Sequence, residues 1–103
     1  MQFTVYRNAD NATCKVVPFL LDIQSDLIEK FQTCVVVPLI SPARAGTPLT
    51  RLMPLLEVDG ESWVMDTPQL AGVPRRTLGQ PVAELSSQRS TIMMALDMLI
   101  SGI

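Results

Sequence analysis

The chemistry open to this chain is limited by the side chains it lacks. Its 103 residues include no histidine, which removes the usual general base at neutral pH, the commonest zinc ligand and every Ser–His or Cys–His nucleophile pair. Two carboxylate pairs could do acid–base work: Asp59 with Glu61, and Asp22 with Asp26. Turn chemistry explains Asp59, an exposed hairpin start explains Glu61, and the second pair flanks a strand end. The carboxylates therefore give little indication of catalysis.

The basic residues and cysteines are equally sparse. Arg75-Arg76 is the one adjacent basic pair, and without aromatic residues or glycines around it we interpret it as a solvated loop, not a phosphate clamp. Cys14 and Cys34 lack the spacing of a metal or redox site, so we expect no metal, no cofactor and two reduced thiols. Eight Lys and Arg against ten Asp and Glu give a net charge of -2, which argues against direct DNA binding.

The composition predicts one domain over residues 1–103 that folds by burying apolar side chains. Of the residues, 48% are apolar and 17% charged, enough for a core without disulfides. No apolar run approaches the roughly 20 residues that cross a bilayer, and the N-terminus lacks a signal-peptide pattern. We therefore expect a cytoplasmic protein without a membrane partner.

Short β runs fill the first three quarters of the chain. The predicted strands are Phe3–Tyr6, Val16–Ile23, Thr33–Leu39, Leu55–Val58, Ser62–Met65 and a short segment at Thr77-Leu78. Asp59-Gly60 predicts a tight hairpin between the fourth and fifth of these, because both central residues of such a turn need positive φ. Residues 26–32 could be a short helix or a loop with anchoring side chains, and residues 41–48 have loop composition.

A C-terminal amphipathic helix is predicted over Val82–Ile100. Its apolar stripe consists of Leu85, Ile92, Leu96, Leu99 and Ile103. Pro81 suits a first-turn position, and Gly102 lies where a helix can end in the left-handed conformation. The fold class is therefore mainly β, an antiparallel barrel or sheet, covered by one C-terminal helix.

Three further features concern packing or partners. For Trp63 we favour the role of a core anchor over that of a ligand platform. Met94 and Met98 lie partly off the helix stripe, which indicates a second contact surface and favours a homodimer. The apolar end Leu99–Ile103 either folds back onto its own domain or dimer mate, or inserts into a partner.

Several short motifs, in order along the whole chain, resemble the CcdB-type toxins of toxin–antitoxin systems. They are Met1-Gln2-Phe3 with Val5-Tyr6, Asp22–Asp26, Val36–Leu39, Gly60–Trp63 with Met65, Val73-Pro74, Val82–Ser86 and Gly102-Ile103. The resemblance implies an SH3-like barrel, a homodimer, and an inhibitor, not an enzyme, that poisons DNA gyrase through its A subunit. It also implies a cognate antitoxin that neutralises the toxin and alone contacts operator DNA.

The resemblance carries over one set of site residues, the gyrase-binding positions Leu27, Ile28, Asp97, Ile100, Ser101, Gly102 and Ile103. For the antitoxin that it implies, Trp63 and Arg44, in the loop of residues 41–47, are candidate contacts, although packing is the favoured role of Trp63. The best known members have Trp and Asn where this chain has Ser101 and Asp97, so an aromatic anchor is absent.

Two alternatives stay open at this point. Related barrels serve as toxin ribonucleases, for which Arg75, Arg76 and Asp66 could be recruited. A non-toxic relative that keeps antitoxin binding would also fit the change at Ser101.

Overall fold

The chain forms a curled antiparallel sheet with one helix at its C-terminal end. The structure, a computed structural model, describes residues 1–28, 30–46 and 50–102. Its strands are β1 (Thr4–Asn8), β2 (Phe19–Asp22), β3 (Thr33–Ile40), β4 (Leu55–Val58), β5 (Glu61–Met65), β6 (Ala71–Pro74) and β7 (Leu78–Glu84). Its helices are α1 (Pro42–Ala45) and α2 (Arg89–Ser101), and single 3-10 turns span Asp26–Ile28, Thr67–Gln69, Arg75–Thr77 and Ser86–Gln88. The predicted fold class is confirmed.

Strand β3 organises the sheet because it pairs with three others. The strand order is β4-β5-β3-β2-β1-β7, with β6 also paired to β3, and all pairings are antiparallel. On one margin β3 pairs with β6 over Thr33–Val36 and with β5 over Leu39–Ile40. Pro38 lies between these two stretches, where a ring nitrogen without a hydrogen costs no ladder bond. The change of partner curls the sheet into a half-barrel.

Both faces of β2 and β3 are buried, which explains their nearly continuous apolar sequences. Leu21 and Val37 belong to the larger core, whereas their neighbours Leu20 and Val36 belong to a smaller one that includes Cys34. Successive side chains of a strand point to opposite faces, so the central strands separate two layers of packing.

Helix α2 covers the larger core and begins beside the sheet's edge strand. Ile92 and Ala95 are fully buried in that core. Just before the helix, the Gln88 side chain accepts a hydrogen bond from the Glu57 N–H at 3.0 Å and donates to the Glu57 carbonyl at 2.9 Å. The amide thus occupies a backbone pair on β4 that would otherwise be open to another chain. Among the described helices, none is long and apolar enough to cross a membrane.

The predicted start of the C-terminal helix is wrong. Residues 82–84 extend β7, where Ala83 pairs with Val5, and the α-helix begins only at Arg89. Pro81 is therefore not in a helical first turn: it lies on an edge strand, opposite Tyr6, where the register shifts. Leu85 is buried as predicted, but it lies between strand and helix. Tertiary pairing with β1 outweighs the helical spacing of the apolar residues.

The predicted hairpin and helix end are confirmed, whereas β6 was not predicted and Thr77 lies in a 3-10 turn before β7 and not in a strand. Asp59 (φ 51°) and Gly60 (φ 83°) join β4 to β5 in the predicted tight hairpin. Gly102 ends α2 in the left-handed region (φ 73°) and donates its N–H to the Met98 carbonyl at 3.0 Å. Within the predicted 41–48 loop, Pro42–Ala45 form the one-turn α1, and residues 47–49 lie outside the described residues.

We expect the covering of the core by α2 to dominate stability. Replacing Ile92 by Ala should lower the free energy of unfolding by about 2 to 5 kcal/mol, because it leaves a cavity in a fully buried position. Met94→Ala, at a half-exposed position on the same helix, should cost less than about 1 kcal/mol. Urea unfolding followed by circular dichroism measures both, and equal losses would contradict the packing described here.

Candidate functional site

The candidate gyrase-binding residues lie on two separate elements. Leu27 and Ile28 belong to the 3-10 turn in the loop of residues 23–32, called the β2–β3 loop below. Asp97, Ile100, Ser101 and Gly102 form the C-terminal end of α2, and Ile103 lies outside the described residues. The exposed fraction is 95% for Leu27, 42% for Ile28 and 82% for Ile100. Both elements therefore present apolar side chains to solvent.

The β2–β3 loop begins at a buried carboxylate. Asp22, 2% exposed, accepts a hydrogen bond from the Met1 amino group at Oδ2 (3.1 Å) and one from the Gln24 N–H at Oδ1 (2.9 Å). A turn closed by the Thr4 N–H and the Met1 carbonyl at 3.0 Å, with positive φ (68°) at Phe3, brings the amino group back to this carboxylate. The Met1 amino group and the first turn of the loop are thus held by the same carboxylate, that of Asp22.

The surroundings of Asp22 shift the pKa values of two nearby groups, the Met1 amino group and the Cys34 thiol. Burial lowers the pKa of the Met1 amino group, but hydrogen bonds to Tyr6 and Asp22 and the charge of Asp22 outweigh it and raise this pKa to about 10. Burial, followed by Asp22, raises the pKa of the Cys34 thiol to about 11. At neutral pH the amino group is charged and Cys34 is a protonated thiol, unsuited to nucleophilic attack.

The body of the loop is closed from inside by Gln24. Its amide donates to the carbonyls of Ile28 (3.2 Å) and Thr33 (3.3 Å), and its oxygen accepts from the Val35 N–H (3.0 Å). Gln2 adds a bond from its N–H to Asp26 Oδ1 at 2.8 Å. These hydrogen bonds satisfy polar groups on the inner side of the loop, and the Leu27 side chain lies on the outside, in solvent.

The end of α2 is capped by its own residues. The Ser101 hydroxyl donates to the Asp97 carbonyl at 2.7 Å, so the two positions that depart from the best known toxins are joined by one hydrogen bond. Gly102 turns the chain out of the helix. The most exposed apolar group of this helix is therefore Ile100, with Met94 at 47% exposure one and a half turns earlier.

The two candidate antitoxin-binding residues lie on neighbouring elements. Trp63, on β5, is half-buried against the larger core, with its ring edge-on to Phe19 at a centroid distance of 5.0 Å. This supports the packing interpretation of Trp63. Arg44 is exposed on α1, which packs beside β5.

The residues considered for a ribonuclease are not brought together. Asp66 donates its N–H to Pro38 and Arg75 donates its N–H to Gln32, six positions apart along the chain that forms β3. At about 3.3 Å per residue these positions are about 20 Å apart. The Nε of Arg75 is also occupied, because it donates to the Phe31 carbonyl at 2.5 Å. Within the described part of the chain, no cluster of His, Cys, Asp and Glu could hold a metal ion.

These features define a small half-barrel protein whose candidate site is a pair of exposed apolar surfaces and not a cavity, since no pocket is found among the described residues. A family model described as CcdB protein matches residues 2–102. The match covers nearly the whole chain, and the protein belongs to the CcdB family. At the level of the family, this identifies a toxin of a toxin–antitoxin system and a gyrase poison.

Sequence reasoning found the exposed residues but missed the groups that hold them. From the sequence, Asp22 is a candidate acid–base partner of Asp26, Gln24 is only part of a motif, and Arg75 is half of a solvated pair or a possible ribonuclease residue. One usable signal was present: two polar residues within an apolar strand end, where each buried group must find a partner.

We expect the Met1–Asp22 pair to make stability depend on pH above neutrality. The pKa of the amino group rises from an ordinary 8.0 to about 10 on folding, so its contribution is complete below pH 8 and disappears as the pH rises to 10. Urea midpoints between pH 7 and 10.5 should fall more steeply for the free amine than for Nα-acetylated protein.

The acetylated form is the matched control, because Cys34 and every other titrating group is present in both. An identical fall of the two midpoints between pH 8 and 10 would contradict the assignment.

Proposed function

We propose that this chain is a toxin that binds the A subunit of DNA gyrase and traps the enzyme with cleaved DNA. The observation that carries the proposal is the exposure of Leu27 and Ile100 at the positions that correspond to gyrase contacts in the family. A soluble surface tolerates isolated apolar side chains, but Leu27, Ile28 and Phe31 are exposed together on one loop. Such groups on a fixed backbone are suited to a protein interface.

The proposed surface is built on backbone that is hydrogen-bonded within the chain. Leu27 lies on a loop closed by Gln24, and Ile100 lies on the last turn of a helix ended by Gly102. An interface built on ordered backbone loses less conformational entropy on association. Such placement matters most for hot-spot residues, which are the few central side chains whose truncation removes most of the affinity.

We propose a homodimer as the active form. Met94 and Ile100 are both exposed on α2, about 120° apart around its axis, and a twofold axis is the commonest way for a small protein to cover exposed apolar side chains. Two copies of the helix end presented together would enlarge the surface offered to two gyrase A subunits, which are themselves related by symmetry.

We further propose that a cognate antitoxin binds across β5 and α1. Arg44 offers an exposed cation there, and the accessible part of Trp63 offers an aromatic surface. The net charge of -2 supports a division of labour in which the antitoxin supplies the DNA contacts. A disordered antitoxin segment could fold over this surface and cover a large area.

We expect truncation of either apolar surface to weaken gyrase binding. Leu27→Ala and Ile100→Ala should each reduce affinity for the gyrase A breakage domain about tenfold or more, as interface anchors do. Leu55→Ala is the control: this side chain is 59% exposed on β4, a strand that contributes no residue to either surface. Surface plasmon resonance with immobilised breakage domain measures the three variants.

Four results would count against the proposed function. Wild-type protein that does not bind the breakage domain, or that binds equally well after removal of residues 102–103, would contradict the site. Normal growth of a gyrase-sensitive bacterium that expresses the chain without antitoxin would favour a non-toxic relative. Cleavage of cellular RNA by the purified protein would favour the ribonuclease.

We expect an aromatic residue at the helix end to strengthen binding. Ser101→Trp should increase affinity for the breakage domain roughly 30-fold, the scale of one aromatic hot spot. Ser90→Trp is the matched control, because Ser90 is an exposed serine at the opposite end of the same helix. Equal effects of the two tryptophans, or none from Ser101→Trp, would show that the helix end is not in the interface.

A further inference from the structure

Arg75 connects two segments that are far apart in sequence. Its N–H donates to the Gln32 carbonyl at 2.9 Å, and its Nε donates to the Phe31 carbonyl at 2.5 Å, across 44 positions. Two consecutive carbonyls of the β2–β3 loop are thus held by one residue of the turn between β6 and β7. The bond from Nε is charge-assisted and therefore stronger than the neutral backbone bond beside it.

The carbonyl groups in and beside the loop have two different supports. Gln24 holds the carbonyls of Ile28 and Thr33 from inside, whereas the Phe31 and Gln32 carbonyls depend on Arg75. Phe31 is 60% exposed, so burial does little to fix its position. Its N–H donates to the Ile28 carbonyl at 3.3 Å, and its carbonyl accepts the shorter bond from Arg75 Nε. Without the Arg75 side chain, the Phe31 backbone therefore keeps only the longer of these two bonds.

The neighbouring arginine provides a comparison within the same turn. Arg76 carries the same charge one position later, is exposed, and has no hydrogen bond to the described residues through its side chain. Arg75 is only half-exposed. The difference between them is geometric, since a guanidinium offers donors in a fixed plane and only that of Arg75 meets a carbonyl.

We propose that Arg75 is a positioning residue for gyrase binding. It holds the backbone of Phe31 so that this ring joins Leu27 and Ile28 in one apolar surface on the β2–β3 loop. Phe31 thereby supplies an aromatic contact in a chain that has Ser101 in place of the aromatic residue at the helix end. The gyrase part of this inference rests on the proposed function above; the loop part rests on the hydrogen bonds alone.

The expected loss of affinity follows from the fraction of molecules whose loop is in the binding-competent conformation. If the loop without the Arg75 side chain spends about a tenth of its time in the bound conformation, the apparent dissociation constant rises about tenfold. The same opening exposes the peptide bond after Lys30 to proteolysis, and cleavage rises about tenfold when the wild-type loop is open about a tenth of the time.

A lysine-specific endoproteinase tests the loop without gyrase. The chain has two lysines, Lys15 and Lys30, so the ratio of the two cleavage rates contains its own reference. Arg75→Ala should raise cleavage after Lys30 about tenfold relative to Lys15, Arg75→Lys should restore part of the protection, and Arg76→Ala should leave the ratio unchanged. A general loss of stability would raise both rates and leave the ratio unaltered, which would overturn the positioning role.

Binding to the gyrase A breakage domain tests the functional half. Arg75→Ala and Phe31→Ala should each weaken binding about tenfold with an unchanged thermal midpoint, and Arg76→Ala should not, which separates positioning from loss of positive charge. Equal affinities for Arg75→Ala and Arg76→Ala would overturn the proposal. If wild-type protein fails to bind gyrase, the proposed function fails and this half with it, while the protease ratio still decides whether Arg75 fixes the loop.

Discussion

Asp22 carries a carboxylate almost removed from solvent at the point where the chain leaves β2. A charge in such a place must be paired and hydrogen-bonded, since an uncompensated buried ion costs several kcal/mol. The Met1 amino group and the Gln24 N–H meet that requirement at separate oxygens. One carboxylate thus fixes the start of the chain, the end of a central strand and the first turn of the β2–β3 loop. The geometry of the candidate surface follows from this constraint.

The same division of polar and apolar groups recurs on both candidate surfaces. In the β2–β3 loop, Gln24 and Arg75 satisfy backbone carbonyls and leave Leu27 and Phe31 outside. In α2, the helix bonds and the Ser101 hydroxyl satisfy the last turn and leave Ile100 outside. Where the backbone is satisfied internally, an apolar side chain can face water without drawing the segment into the core. This arrangement supports a surface kept for a partner.

Sequence reasoning succeeded where the cause of a structure lies within a few residues. The hairpin at Asp59-Gly60 and the helix end at Gly102 both follow from positive φ at positions that tolerate it. The start of the last helix could not be placed this way, because Val82–Glu84 become a strand only through pairing with β1. The role of Arg75 was equally hidden, since its partner lies 44 positions away. The resemblance alone marks Leu27 as a site residue. Its exposure and the hydrogen bonds that hold its loop are seen only in the structure.

The change at the helix end alters how binding energy would be shared between the two surfaces. Ser101 contributes no aromatic area, and its hydroxyl is used within the helix by the Asp97 carbonyl. The β2–β3 loop, by contrast, exposes Leu27, Ile28 and the ring of Phe31. Since buried aromatic area is a main source of interface energy, a gyrase interface of this chain would depend more on the loop and less on the helix end than in relatives with Trp there. Under the proposed function, affinity for gyrase would then depend on how firmly Arg75 and Gln24 hold that loop.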